Sequence, residues 1–370
     1  MKNRAARRGM TLVELLAVIG IIVLVAALAI PGVRMLTSDM KVREAGRGLQ
    51  SFMQQVHSDA KLNGGAGFWI ERDITAPNTG VAVYRVRRPP AFTGDRLDSV
   101  CTIINDPTGA ITGAPGVFAD FNQTLNPSVQ ALVTNWLDPT RNITRPQIRF
   151  DFKGRTYEIT AGAVSGPSFR VQLGVLNHDT GGMPAGTYPN QKFSIIPPPV
   201  KLSTRAFLLP TETYIDLALS GFTPLDFDGD SQADTSGTEL AVNSGDAAPG
   251  PVIVLFGPDG SIDRVISKNL AGGFPSGQTL FLYVVQDLRK ETGEFNVTLD
   301  VTNYPGYGAA GTSLYANVDN LTNLWLTFGR NGQVTLSENS DATDRATNGI
   351  GDVMWGARSV AINQDQIQNN

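Results

Sequence analysis

The chain has 370 residues, of which 41% are hydrophobic and 17% charged, and its formal net charge is -4. That is enough apolar material for a large core, and it is not the composition of a disordered protein. Two His and one Cys exclude a Cys-rich zinc module, a disulfide scaffold and a His-dense metal enzyme, while 39 Gly and 22 Pro favour short strands and many turns.

The N-terminus is the most informative segment. Lys2, Arg4, Arg7 and Arg8 precede an almost wholly apolar run, Met10 to Ile30. A run of twenty-one residues is long enough for a helix that spans a bilayer, and the basic flank predicts that residues 1–9 stay cytoplasmic. An ordinary signal peptide has a shorter apolar core and a small-residue cleavage site after it. Here the run passes into Pro31-Gly32, and Val33 to Leu62 continues as an amphipathic helix. Glu14 interrupts the apolar run, and a carboxylate there costs about 2.5–3.5 kcal/mol on insertion scales, so it calls for a partner.

The junction Arg7-Arg8-Gly9-Met10-Thr11-Leu12-Val13-Glu14 resembles the type IV prepilin signal shared by type IV pilins and type II secretion pseudopilins. The resemblance implies cleavage after Gly9 by a membrane-embedded prepilin peptidase, with methylation of the new N-terminus at Met10. Glu14 matches the family's acidic fifth mature residue, and Pro31 its helix-bending proline. In that family's filaments the acidic side chain neutralises the α-amine of a neighbouring subunit. Either charge is costly when buried alone, so Glu14 would set the assembly register.

Downstream, Val33, Leu36, Met40, Val42, Ala45, Leu49, Phe52, Met53, Val56 and Ala60 recur at steps dominated by three and four, and Gly64-Gly65 supplies a stop. His57 falls near this stripe and reads as a packed or capping residue. Strands are then predicted at 67–70, 81–86, 148–152, 156–160, 169–173, 213–217, 252–256, 261–266, 279–285, 324–328 and 333–336, with a helix at 127–137. Residues 177–201 and 303–317 read as loops or insertions, and 358–370 as a loose polar tail. Two predicted hairpins share Phe-Gly-x-[Asp/Asn]-Gly, at 256–260 and 328–332. The first resembles a late hairpin of H-type minor pseudopilins. The pair resembles that of large pilin-like proteins of Planctomycetes-type bacteria.

Asp226, Asp228, Asp230 and Asp234 occupy positions one, three, five and nine of a loop, the alternation that can wrap Ca²⁺. The fit to an EF-hand is incomplete. Gly237 stands at the twelfth place, and Glu239 comes two residues late. Two arginine groups, 85/87/88/96 and 141/145/149, could suggest DNA. Loss of the leader, however, leaves 26 basic against 34 acidic residues, and a net acidic head argues against a nucleic-acid partner. No G-x-S-x-G, P-loop or H-E-x-x-H is present, so an enzyme is not expected.

The expectation is an α+β, pilin-like fold: a leader at 1–9, a transmembrane helix at 10–30, its amphipathic continuation at 31–63, and a β-rich periplasmic or extracellular head at 64–370. The expected function is a minor subunit of a type IV pilus or type II secretion pseudopilus, single-pass in the inner membrane. Its expected partners are prepilin peptidase, other pilin or pseudopilin subunits, an inner-membrane assembly platform and membrane lipid. The alternatives are a membrane-tethered binding protein or enzyme that uses a pilin-like anchor, and a DNA-uptake minor pilin.

Overall fold

A computed structural model describes residues 12–76, 78–138, 144–151, 156–175, 184–202, 206–222, 240, 242, 250–267, 279–286, 323–329, 332–339, 358 and 361. Helix α1 spans Leu12–Asn63. It ends where Gly64 turns left-handed (φ 64°) and its N–H donates to the Ala60 carbonyl at 2.9 Å, the termination that glycine permits without a Cβ clash. Strands β1 (Ala66–Arg72) and β2 (Thr79–Arg87) follow as a hairpin. The chain then builds β3 (Cys101–Asp106), β4 (Gly116–Asn122), helix α2 (Pro127–Trp136), β5 (Gln147–Phe150), β6 (Thr156–Ser165), β7 (Ser168–Val175), β8 (Gly186–Gln191) and β9 (Phe193–Ile196). It returns through β10 (Val200–Lys201) and β11 (Phe207–Leu208) to β12 (Thr213–Phe222), β13 (Val252–Phe256), β14 (Ile262–Ile266), β15 (Leu280–Gln286), β16 (Leu324–Phe328) and β17 (Val334–Glu338).

Among the described residues these strands form two antiparallel sheets. The larger has the order β14-β13-β1-β2-β12-β15-β16-β17, with β10 and β11 pairing β2 beside β12. The smaller, β8-β3-β4-β7-β6-β5-β9, is built wholly from chain lying between β2 and β10. Each has its own core. On the larger sheet, Val42, Ala45, Leu49, Phe52, Met53, Val56 and Ala60 of α1 pack on Phe68, Ile70, Val254, Phe256, Leu282, Leu326 and Phe328. On the smaller, Val129 and Val133 of α2 join Phe121, Ile148, Ile159, Phe169 and Phe193.

The larger sheet curls around α1. Phe256 on β13 and Phe328 on β16 are far apart in sheet order, yet their ring centroids lie 6.2 Å apart, and Phe68 touches both at 5.9 and 5.3 Å. Twist accumulated over the intervening strands brings the two ends together over one helix face. Strands β13, β15 and β16 are buried along their whole length. This accounts for their largely apolar, non-alternating sequences, since strands covered on both faces need no alternation.

The α+β, pilin-like expectation of one helix on one β-rich head is therefore corrected. The described chain is predominantly β-structure in two large antiparallel sheets with separate cores. The sequence pattern did not reveal β3, β4, β8 and β9, and the expected insertion at 177–201 holds parts of both sheets. These strands carry Gly, Asp, Asn or Pro within or beside them, and cross-strand pairing overrides that weak local preference. The loose-tail reading also fails at its first residue. Arg358 is fully buried, donates to the carbonyls of Phe222 and Leu219, and lies over the rings of Phe281 and Trp325.

Candidate functional site

Helix α1 has two regimes. From Val42 onward one stripe is buried against the larger sheet. Between Leu12 and Val25 the side chains described are exposed on every side. Leu12, Leu15, Leu16, Val18, Ile19, Ile21, Ile22, Val23, Leu24 and Val25 all stand in solvent, from 42% to 76% exposed. An exposed apolar surface of this extent marks an interaction site, since an isolated helix that is apolar all round has nothing to gain from water.

No helix among the described residues is long and apolar enough to cross a membrane. That finding overturns the single-pass inner-membrane placement. Glu14 and Pro31 fall within α1, which runs through Pro31 without interruption, and their side chains lie outside the described part. Gly9 and Met10 lie outside the described residues, as do Asp226, Asp228, Asp230 and Asp234. Among the described residues no group of three His, Cys, Asp or Glu is placed to hold a metal.

His57 is where the two similar hairpins meet. In each, the first glycine N–H (Gly257, Gly329) donates across the turn to the carbonyl of Ser261 or Gln333 at 2.9 Å. The second glycine N–H (Gly260, Gly332) donates back to the first glycine's carbonyl at 3.0 or 2.8 Å. Both second glycines are left-handed, at φ 85° and 73°. Their Cα hydrogens face the His57 imidazole, and the Gly332 turn abuts the Gly260 carbonyl. The shared Phe-Gly-x-[Asp/Asn]-Gly pattern was thus legible, whereas the convergence of both copies on one histidine was not. Phe256 meets the His57 ring edge-on at 5.7 Å.

Other polar groups are tied into the scaffold. Arg85 reaches Asp59 at 2.7 Å and Gln55 at 2.6 Å, and Arg88 reaches Asp263 at 2.8 Å, so two arginines of the first basic group are engaged in ion pairs. Arg170 binds Asp120 through two N–H groups at 2.7 and 2.8 Å across β4 and β7. Burial pushes the Cys101 thiol up to about 12, which removes its thiolate reactivity at neutral pH.

Asp106, at the end of β3, accepts N–H groups from Ala110, Ile111 and Thr112 at 3.0, 2.7 and 2.7 Å, and the Thr112 hydroxyl at 3.0 Å. Burial raises its pKa, but these hydrogen bonds outweigh burial and hold the carboxyl at about 2. Asp106→Asn is expected to lower the melting temperature by a few degrees at pH 7. The native pKa is depressed, so the carboxylate's contribution is present above the unfolded value of about 3.9 and is lost as pH falls through the folded one. Thermal melts of the two proteins should therefore converge toward pH 2. An unchanged gap there would refute the cage.

A cavity of about 500 Å³ is lined by Pro89, Pro90, Phe92, Trp136, Pro197 and Pro198, among others. It sits where the two connections between the sheets pass α2. Compared with known proteins, the chain matches no family model, no curated protein and no solved structure.

Proposed function

We propose that this chain is a subunit of a helical filament of the type IV pilus or type II secretion pseudopilus class, assembled through the free end of α1. The observation that carries the reading is that the side chains described between Leu12 and Val25 are all apolar and exposed, beside a second half of the same helix that is anchored in a sheet. Such a helix satisfies its own backbone and needs only apolar neighbours, which staggered copies of itself supply. The prepilin-like junction adds the processing step. Prepilin peptidase removes residues 1–9, and the freed amine of Met10 pairs with Glu14 of the adjoining subunit, so that each buried charge is neutralised only in the assembly. The size of the β-structure carried by the helix suits a minor subunit that contacts cargo or initiates assembly.

The test uses the full chain. In sheared filaments or sedimented assemblies, mass spectrometry should find Met10 as the first residue, and Gly9→Val should leave the precursor uncut. Ile19→Asp combined with Ile22→Asp should reduce assembly by an order of magnitude or more, since a charge at each helix contact costs about 2.5–3.5 kcal/mol when desolvated among apolar side chains. Thermal stability should not change, because the described contacts of the sheets lie further along α1. An intact Met1 in the assemblies, or undiminished sedimentation of the double variant, would sink the reading.

A further inference from the structure

We propose that the outer edge of β6 is a docking edge for a second copy of this chain, formed by antiparallel pairing of β6 with β6 about Ala163. Strand β6 outruns the neighbour that covers it. β5 pairs with it only at Thr156, Tyr157 and Glu158, and the Ile159 N–H then donates to the Pro146 carbonyl at 2.9 Å. From Ala161 to Ser165 the strand pairs with Gln172 to Ser168 of β7, and among the described residues nothing pairs with its other edge. All five residues are exposed, Val164 by 57%.

An open edge is a template for another strand, and proteins normally block theirs. Among the described residues, the terminal strands of both sheets carry such blocks. β14 carries Asp263 and Arg264, and β17 ends on Glu338. β8 contains Pro189, while β9 runs into Pro197-Pro198 and is bridged to Phe92. Ala161-Gly162-Ala163-Val164-Ser165 has no charge and no proline.

The turn sets the register. Gly166 (φ 59°) and Pro167 form a two-residue loop, the type II′ arrangement with glycine first. Its closing pair, Ser165 and Ser168, is the hydrogen-bonded kind, and the kinds alternate from there. Ala161 and Ala163 therefore point their N–H and C=O groups at β7, while Gly162 and Val164 point theirs outward. A second β6 running antiparallel places Gly162 of each copy opposite Val164 of the other in hydrogen-bonded pairs. Ala163 faces its own copy on the two-fold axis, in the closer, non-hydrogen-bonded kind of pair. Every facing pair is small and uncharged, so self-pairing meets neither the like-charge nor the steric penalty that a charged edge would impose. One patch that is complementary to itself is what a two-fold interface requires.

The experiment is disulfide trapping in the full-length chain. Cys101 is the sole native cysteine and is buried, so it does not compete. Under mild oxidation Ala163→Cys should give a reducible covalent dimer several-fold in excess of Leu97→Cys, a fully exposed control at 105% that reports random encounters, including any inside assemblies built by α1. A mixture of Ala161→Cys and Ser165→Cys chains should cross-link to each other in preference to themselves, and this pair carries the test if Ala163→Cys does not accumulate. Trapping at or below the Leu97→Cys level, loss of the 161–165 preference, or capture of a different protein by the thiol introduced at position 163 would each overturn the proposal and leave the α1 reading untouched.

Discussion

Gly332→Ala is expected to be among the most damaging single substitutions in the larger sheet. At φ 73° an alanine is strained by about 1–3 kcal/mol. Its methyl would also overlap the Gly260 carbonyl oxygen and press on His57. Neither neighbour is a flexible side-chain end. Relieving the overlap means separating the two hairpin turns that close the curled sheet, at a cost of about 1–3 kcal/mol for overpacking. A loss of about 2–6 kcal/mol would lower the melting temperature by about 1–2 °C per kcal/mol for a chain of this size. Gly113→Ala is the matched control. It is also left-handed, at φ 82°, but has open space where the methyl would go, so it isolates backbone strain. Equal chemical-denaturation midpoints for the two variants would show that the turns do not touch as described.

Trp325→Ala should cost about 3–5 kcal/mol, the usual penalty for emptying a large aromatic site. The indole is fully buried, stacks on Tyr283 with centroids 4.2 Å apart, and donates its N–H to the Asn339 side chain at 3.0 Å. Its ring also lies 5.7 Å from the Arg358 guanidinium. Trp325→Phe keeps much of the stacking and loses the donor, so its cost should be nearer ~1 kcal/mol. Guanidinium titration of the two variants separates packing from hydrogen bonding. Similar midpoints for both would assign the stability to the hydrogen bond instead. In the alanine variant the 358 region should also become open to proteases, because one of the two rings beneath Arg358 is gone.

Much of the larger sheet was legible in the residues. β13 is an uninterrupted apolar run and β16 is broken only by Thr327, each is followed by a glycine turn, and they fall where the pattern placed them, as does α2 behind Pro127. The buried stripe of α1 was legible for the same reason, since steps of three and four fit one face of a helix and do not fit a strand. In the smaller sheet β5, β6 and β7 were legible, but β3, β4, β8 and β9 were not. The missed strands carry polar or turn-forming residues and are held by partners dozens of residues away, such as Asp120 with Arg170. Local pattern carries no record of such pairing. Gly9 and Met10, where processing is proposed, lie outside the described residues and are read from the sequence alone. The His57 junction lies between these cases. The repeated turn motif could be read, but the distance between its copies collapses only when the sheet curls.

The order of strands has a consequence for how the molecule is made. Residues from β3 to β9 supply every strand of the smaller sheet, with Phe92 just before them bridged to Ile195 of β9, and the chain enters and leaves that sheet beside itself, with Arg87 of β2 directly opposite Val200 of β10. The smaller sheet is therefore a nested module whose ends are already together. It can emerge from the ribosome and close on its own core while the larger sheet, which waits for β12 to β17, is still incomplete. For that whole interval β1, β2 and the buried stripe of α1 lack most of their partners. The nascent chain is thus most exposed to misassociation in its oldest segment, the one that also carries a bare apolar helix.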